Sequence, residues 1–378
     1  MTRLLRFLIV GQVPPPYHGS NVMTKVFNDA LDELGWRHQL VNKRFSLDIA
    51  EVGRFRWGKI FRFARIYYSF LRWVIVYKPD LVVYFISSKV FGLIPDAILI
   101  GTAHLLGKRT LLYVHGRGHQ AASRHHVGRL IYGTIISKVS WLFVLDDLFR
   151  DDVEFLKKPA FTLPNCLSKE DCEFILNLKQ GAKSSEAERI QSVVFMGNLL
   201  ESKGVLDLVK SIPLIISDVE HVRFEFLGAW TDEAFRKRVE EFIREHELTE
   251  YVSFPGPIYG DKKYISLFNS DIFAFPTSFD AFPLVNIEAM ACSLPVVSTE
   301  VGAIPSIVED GETGFIVPPH DTTLLARRVV TLIKDAELRK QMGDRGREKF
   351  LNTYTFEKYK SHLDEILFSI QGSLKPHH

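Results

Sequence analysis

Cysteine is scarce in this chain. Three occur in 378 residues, Cys166, Cys172 and Cys292, and no CxxC pair is present. An odd set without metal-ligand spacing excludes a secreted disulfide scaffold and a structural zinc site, and fits a reducing compartment. Long apolar runs are also lacking. The two longest, 90–106 and 130–145, are broken by Asp96 and His104 or by Lys138. Both read as buried elements of a globular core rather than as membrane spans. Residues 1–10 run directly into a strand-like stretch with Arg3 and Arg6, and lack the apolar region and cleavage site of a signal peptide. The expected location is the cytoplasm, with peripheral attachment to the cytoplasmic membrane face left open.

Net charge is nearly absent as well, at +2. The cancellation hides an asymmetry. Residues 1–165 carry 23 basic and 12 acidic side chains, net +11, whereas residues 166–378 carry 24 and 33, net −9. A basic half joined to an acidic half implies that one half meets an anionic surface or ligand and the other does not. Apolar residues make up 46% and charged residues 24%, which excludes a disordered or collagen-like chain.

What is present is alternation. Short apolar runs near 5–10, 39–41, 81–85, 110–114, 141–145 and 161–163 are separated by segments of helix length. A second set follows at 192–196, 224–227, 252–254, 272–275, 296–298 and 315–317. Strands apolar on both faces and separated by helices predict parallel sheets covered by helices. The fold class expected is α/β, with two Rossmann-like doubly wound domains facing a cleft. The predicted domains are 1–165, a linker at 166–190, and 191–352. A terminal helical segment, 353–378, is expected to pack back on the first domain and end in a frayed tail.

Four strand-end segments in the second half carry chemistry. In 195–204 (FMGNLLESKG) a strand enters a glycine turn at Gly197 and Asn198, and Lys203 then stands where a helix opens. A lysine beside a helix N-terminus is placed to meet an anion, although a surface lysine would look the same. In 276–291 (PTSFDAFPLVNIEAMA) Pro283 suits a first helical turn, leaving Asp280 in the loop and Glu288 inside the helix. A carboxylate there suits a ribose diol, and its apolar neighbours favour a buried, partnered glutamate over a solvated one. Segments 301–305 (VGAIP) and 310–315 (DGETGF) read equally well as turns.

Together these segments resemble the retaining family 4 of GT-B glycosyltransferases, the glycosyl transferases group 1. The resemblance runs in order from MGNLLESKG through PTSFDAFPLVNIEAMA to LPVVSTEVGAIPSIVEDGETGFIVPP. It implies that Lys203 holds the donor diphosphate and that Glu288 binds the nucleotide ribose. It also implies that Asp280, with the backbone amides of Phe282, Leu284 and Val285, grips donor sugar and phosphate. Three positions depart from the family pattern: Asn198 replaces a usual arginine, Asp280 a usual glutamate, and Ser293 a frequent glycine.

The first half is less explicit. After the first strand comes a proline-rich loop to Gly19, where a backbone N–H could approach an anion. The resemblance sets this glycine loop against the donor phosphate. His115, at a strand end beside Gly116 and Gly118, corresponds to the family's cleft histidine near the donor sugar. Arg117 is a candidate for an anionic acceptor, or an ordinary surface arginine. His125 and His126 read as surface residues, with no carboxylate at ligand spacing. Segment 54–78 holds seven basic residues, Arg56, Lys59, Arg62 and Arg65 among them, with aromatics throughout and no acid. It reads as an interfacial helix on anionic lipid, as a Rossmann helix with a basic rim, or as both. No nucleic-acid module accompanies it.

The expected activity is metal-independent, retaining transfer of a sugar from a nucleotide-diphosphate sugar to a glycan or lipid-linked hydroxyl in bacterial-type surface polysaccharide or glycolipid assembly, with no cofactor. The expected catalytic residues are Lys203, Asp280 and His115. Two other readings stay open: a non-catalytic nucleotide-sugar-binding subunit, and a GT-B-type nucleotide-sugar epimerase.

Overall fold

The computed structural model describes residues 5–15, 19–44, 57–87, 90–178 and 190–374. The chain forms two units, Met1–Cys166 with Phe356–His378, and Leu167–Thr355. The helix Lys169–Asn177, inside the stretch read as linker, belongs to the second unit. The rest of that stretch, 179–189, lies outside the described residues, as does the tail beyond 374.

In the first unit, strands alternate with helices: β1 Arg6–Gly11, α1 Gly19–Glu33, β2 Arg37–Asn42, α2 Trp57–Val76, β3 Leu81–Ile86, α3 Val90–Leu105, β4 Arg109–Val114, α4 His119–Arg124, α5 His126–Thr134, β5 Trp141–Val144 and β6 Ala160–Thr162. They form one sheet in the order β2-β1-β3-β4-β5-β6 with every pairing parallel. The central strand β3 (LVVYFI) is buried at every position, as expected for a strand covered on both faces.

The second unit begins with α6 Lys169–Asn177 and continues as β7 Gln191–Met196, α7 Val205–Ile216, β8 Val222–Leu227, α8 Glu233–Glu245, β9 Val252–Ser253, α9 Asp261–Asn269, β10 Ile272–Phe275, α10 Leu284–Ala291, β11 Val296–Thr299, α11 Ile304–Ile307, β12 Gly314–Val317, α12 Thr322–Lys334 and α13 Ala336–Thr353. Its sheet is also parallel, in the order β12-β11-β10-β7-β8-β9. Strand order reverses between β7 and β10, so the loops leaving those two strands flank the switch point at which open α/β sheets bind ligands.

The chain then returns to the first unit as α14 Phe356–Leu374. Phe356, Tyr359, Leu363, Leu367 and Ile370 are buried along it. The Trp36 indole N–H donates to the Asp364 carboxylate at 2.9 Å, and its ring lies 5.2 Å from that of Phe368. Lys360 pairs with Glu33 at 2.7 Å.

Candidate functional site

The two loops at the switch point meet through their side chains. From β7 the chain passes Gly197 and the exposed Asn198 into a single 3₁₀ turn, Glu201–Lys203, and then Gly204. Gly204 has φ +80, and a Cβ there would stand 2.0 Å from the carbonyl oxygen of Pro276. Only glycine allows the backbones to approach so closely. From β10 the chain passes Thr277, whose hydroxyl donates to the Ser202 carbonyl at 2.9 Å, to Asp280. The Lys203 ammonium then donates to Asp280 Oδ2 at 2.6 Å and to the Phe279 carbonyl at 3.1 Å. Two residues singled out separately in the sequence are therefore an ion pair, each about a fifth exposed.

The segment 301–305 holds this loop in place. Gly302, at φ +62, lies so close that a Cβ would stand 2.2 Å from the Asp280 carbonyl oxygen, and the Ala303 N–H donates to the Ala281 carbonyl at 2.8 Å. The reading as a free-standing turn gives way to a buttress. Phe282 is buried, with its ring edge-on to Tyr354 at 6.2 Å. Pro283 caps α10 instead of occupying its first turn, and Leu284 and Val285 begin the helix half-exposed. Ser293 follows α10 at φ +58, a left-handed position that favours glycine.

Glu288 lies on α10 with 8% of its surface exposed. Its partner is Lys263 on α9, whose ammonium donates to Oε1 at 2.7 Å and stands 3.7 Å from Asp171 Oδ1 on α6. Burial disfavours the Lys263 charge, but Glu288 and Asp171 outweigh burial and raise its pKa. Lys263 and Asp171 lie in no recognisable motif. The one available signal was the capping spacing Ser168-x-x-Asp171, which the structure bears out: the Ser168 hydroxyl accepts from the Asp171 N–H at 3.1 Å.

In the first unit, His115 follows β4 and lies between aromatic rings, 5.1 Å from Phe85 and 4.1 Å from Tyr113. Its Nε2 is buried without a hydrogen-bond partner. Burial, aided by the nearby Lys43 cation, lowers its pKa to about 3, so the ring is neutral at pH 7. Lys43, after β2, pairs with the buried Asp96 of α3 at 3.0 Å, and Tyr84 donates its hydroxyl to the same carboxylate at 2.6 Å. Asp96 had been visible only as a break in an apolar run. Gly19 opens α1. Arg117 is exposed and paired with Asp151 at 2.7 Å, and His125 and His126 are exposed.

Helix α2 has two faces. Ile66, Phe70 and Val74 are buried at four-residue spacing. On the opposite side Phe61 is 78% and Tyr68 70% exposed, with Ile75 and Val76 also exposed and Arg65 and Arg72 among them. Arg62 is half-buried; Arg56 and the side chain of Lys59 lie outside the described residues. Among the described residues no helix is long and apolar enough to cross a membrane, and no group of three or more His, Cys, Asp or Glu is placed to hold a metal ion.

Comparison with known proteins agrees with this geometry. Residues 179–349 match the model of the family "Glycosyl transferases group 1". The chain is 28% identical over 193 residues to N-acetyl-alpha-D-glucosaminyl L-malate synthase of Bacillus anthracis, covering 51% of this chain and 49% of that protein. It is 32% identical over 187 residues to the capsular polysaccharide biosynthesis glycosyltransferase CapM of Staphylococcus aureus, 47% of each. These matches span about half the length of the curated relatives. In fold, the chain is similar to Anabaena Alr3699/HepE, solved in complex with UDP, with a TM-score of 0.69 and 15% identity over 97% of this chain and 100% of that one. The double α/β architecture is therefore GT-B, and residues 179–349, where Lys203, Asp280 and Glu288 lie, are similar to the glycosyl transferases group 1 family.

Proposed function

We propose that this chain is a glycosyltransferase that moves a sugar from a nucleotide-diphosphate donor to an acceptor hydroxyl, with retention at the anomeric carbon and without a metal ion. The observation that carries the proposal is the convergence of Lys203 and Asp280 at the β7/β10 switch point, with Glu288 on the helix that follows. The UDP bound by the Anabaena neighbour and the capsular role of the Staphylococcus relative support a nucleotide sugar and a polysaccharide-type acceptor.

In this mechanism the donor ribose lies against Glu288. The diphosphate draws the Lys203 ammonium from Asp280, and the freed carboxylate accepts hydrogen bonds from the donor sugar. Lys203 and the amides of Leu284 and Val285 stabilise the charge that builds on the leaving phosphate. In the first unit, the family resemblance assigns a donor-phosphate contact to Gly19, at the start of α1, and a sugar contact to His115, whose ring is neutral at pH 7. The bond from the anomeric carbon to phosphate oxygen breaks, and the bond to the acceptor oxygen forms on the same face. The acceptor proton passes to the departing phosphate. The basic first unit takes the acceptor, and the exposed face of α2 rests on anionic lipid when that acceptor is lipid-linked.

The test is incubation of the purified chain with nucleotide sugars, with and without acceptor lipids, alongside a thermal-shift panel of nucleotide diphosphates. Transfer with retention is expected. Binding without transfer would favour the partner-subunit reading, and conversion of the nucleotide sugar without acceptor would favour the epimerase; either result overturns the proposal.

A further inference from the structure

A ribose diol donates two O–H groups, so the group that receives it needs free oxygen lone pairs, which an ionised carboxylate has and a protonated one partly lacks. Glu288 is buried, and burial alone favours the uncharged form of a carboxyl group. The compensation comes from outside its own helix. Lys263 donates to Oε1 at 2.7 Å, and among the described residues no hydrogen bond is made to Oε2. The ammonium is itself anchored, 3.7 Å from Asp171 and 4.5 Å above the Tyr264 ring. Two carboxylates thus share one cation, and three helices, α6, α9 and α10, converge on it. Without Lys263, Glu288 and Asp171 would lose the cation that they share.

We propose that Lys263 is a positioning residue for nucleotide recognition: by holding Oε1 of Glu288 from one side, it presents Oε2 as a charged acceptor to the ribose diol and so sets the preference for ribonucleotides over 2′-deoxyribonucleotides. Asp171 fixes the ammonium in place. This rests on the reading of Glu288 as the ribose-binding residue given above.

The experiment measures, by titration calorimetry, binding of UDP, GDP and ADP and of their 2′-deoxy counterparts to the full chain. For the base that binds, the wild type is expected to prefer the ribonucleotide by about tenfold, the scale of one lost hydrogen bond to a charged group. K263M and K263Q are expected to bring that ratio below about threefold at pH 7, while K263R keeps it. A merely structural role for Lys263 would lower the melting temperature without changing the ribo/deoxy ratio. Should K263M not fold, K263Q carries the same reading. E288A separates the two inferences. If E288A loses the preference and K263M and K263Q keep it at pH 7, the role of Lys263 is overturned. If the wild type has no preference, or E288A retains it, the ribose reading of Glu288 falls, and the role of Lys263 with it.

Discussion

Aspartate reaches one methylene less far than glutamate, yet Asp280 meets Lys203 at 2.6 Å, in a loop whose backbone lies closely against Gly302. Gly302→Ala would place a methyl 2.2 Å from the Asp280 carbonyl oxygen in a left-handed conformation. We expect a loss of about 1 kcal/mol or more from the backbone alone, read as a lower urea midpoint, together with a raised KM for donor. A KM equal to wild type would remove the buttressing role. If Lys203 faces the leaving phosphate as proposed, Lys203→Ala should lower kcat about a hundredfold, with a melting temperature within a few degrees of wild type; an unchanged kcat would refute that assignment. At this scale the sequence was legible where chemistry repeats a motif. Lys203, Asp280 and Glu288 stood out; the structure pairs the first two with each other and Glu288 with Lys263. Lys263 did not, because α9 gives no sign in its own sequence that it will lie against α10; the pairing is made by tertiary packing 25 residues away.

At the scale of the element, α2 shows why periodicity alone left two readings of one segment. The buried stripe Ile66, Phe70, Val74 answers to the sheet, while the opposite stripe mixes exposed Phe61, Tyr68 and Ile75 with Arg65 and Arg72. Both readings find a face on the same helix. The faces should separate experimentally. Phe70→Ala, in the core, is expected to cost about 3–5 kcal/mol in denaturant unfolding. The double change Phe61→Ser and Tyr68→Ser should leave stability within about 0.5 kcal/mol, yet reduce co-sedimentation with anionic vesicles. Binding to those vesicles should weaken as salt is raised, and equal partitioning to neutral vesicles would speak against an electrostatic contact. The sheet strands were readable for a simpler reason: a strand buried on both faces must be apolar at every position, as β3 is.

At the scale of the whole molecule, acid is expected to unfold this protein through its buried histidines. His115 takes up a proton in the folded state only near pH 3, against about 6.5 when unfolded, and burial likewise lowers the pKa of His119. Between those values the unfolded chain binds more protons. Stability is therefore full above about pH 6.5 and falls as pH drops toward 3, by up to about 1.4 kcal/mol per pH unit for each histidine. Urea midpoints measured from pH 7.5 to 4.5 should fall accordingly, and His115→Asn should flatten the decline; an undiminished slope in that variant and in His119→Asn would refute the linkage. The two-unit organisation was also legible, down to six strands in each half. What composition concealed was ownership: α6 lies among polar, linker-like sequence yet belongs to the second unit, because Cys172 and Ile175 supply it with a buried face. The return of α14 carries a consequence for biosynthesis. A ribosome delivers every residue of the second unit before the helix that completes the first, so the earlier-made unit must wait, with Trp36 and Tyr113 lacking their partners on α14, until the later-made one has left the exit tunnel. The unit that begins the chain is then the last to be finished, and a stop codon after residue 355 would leave it permanently in that waiting state.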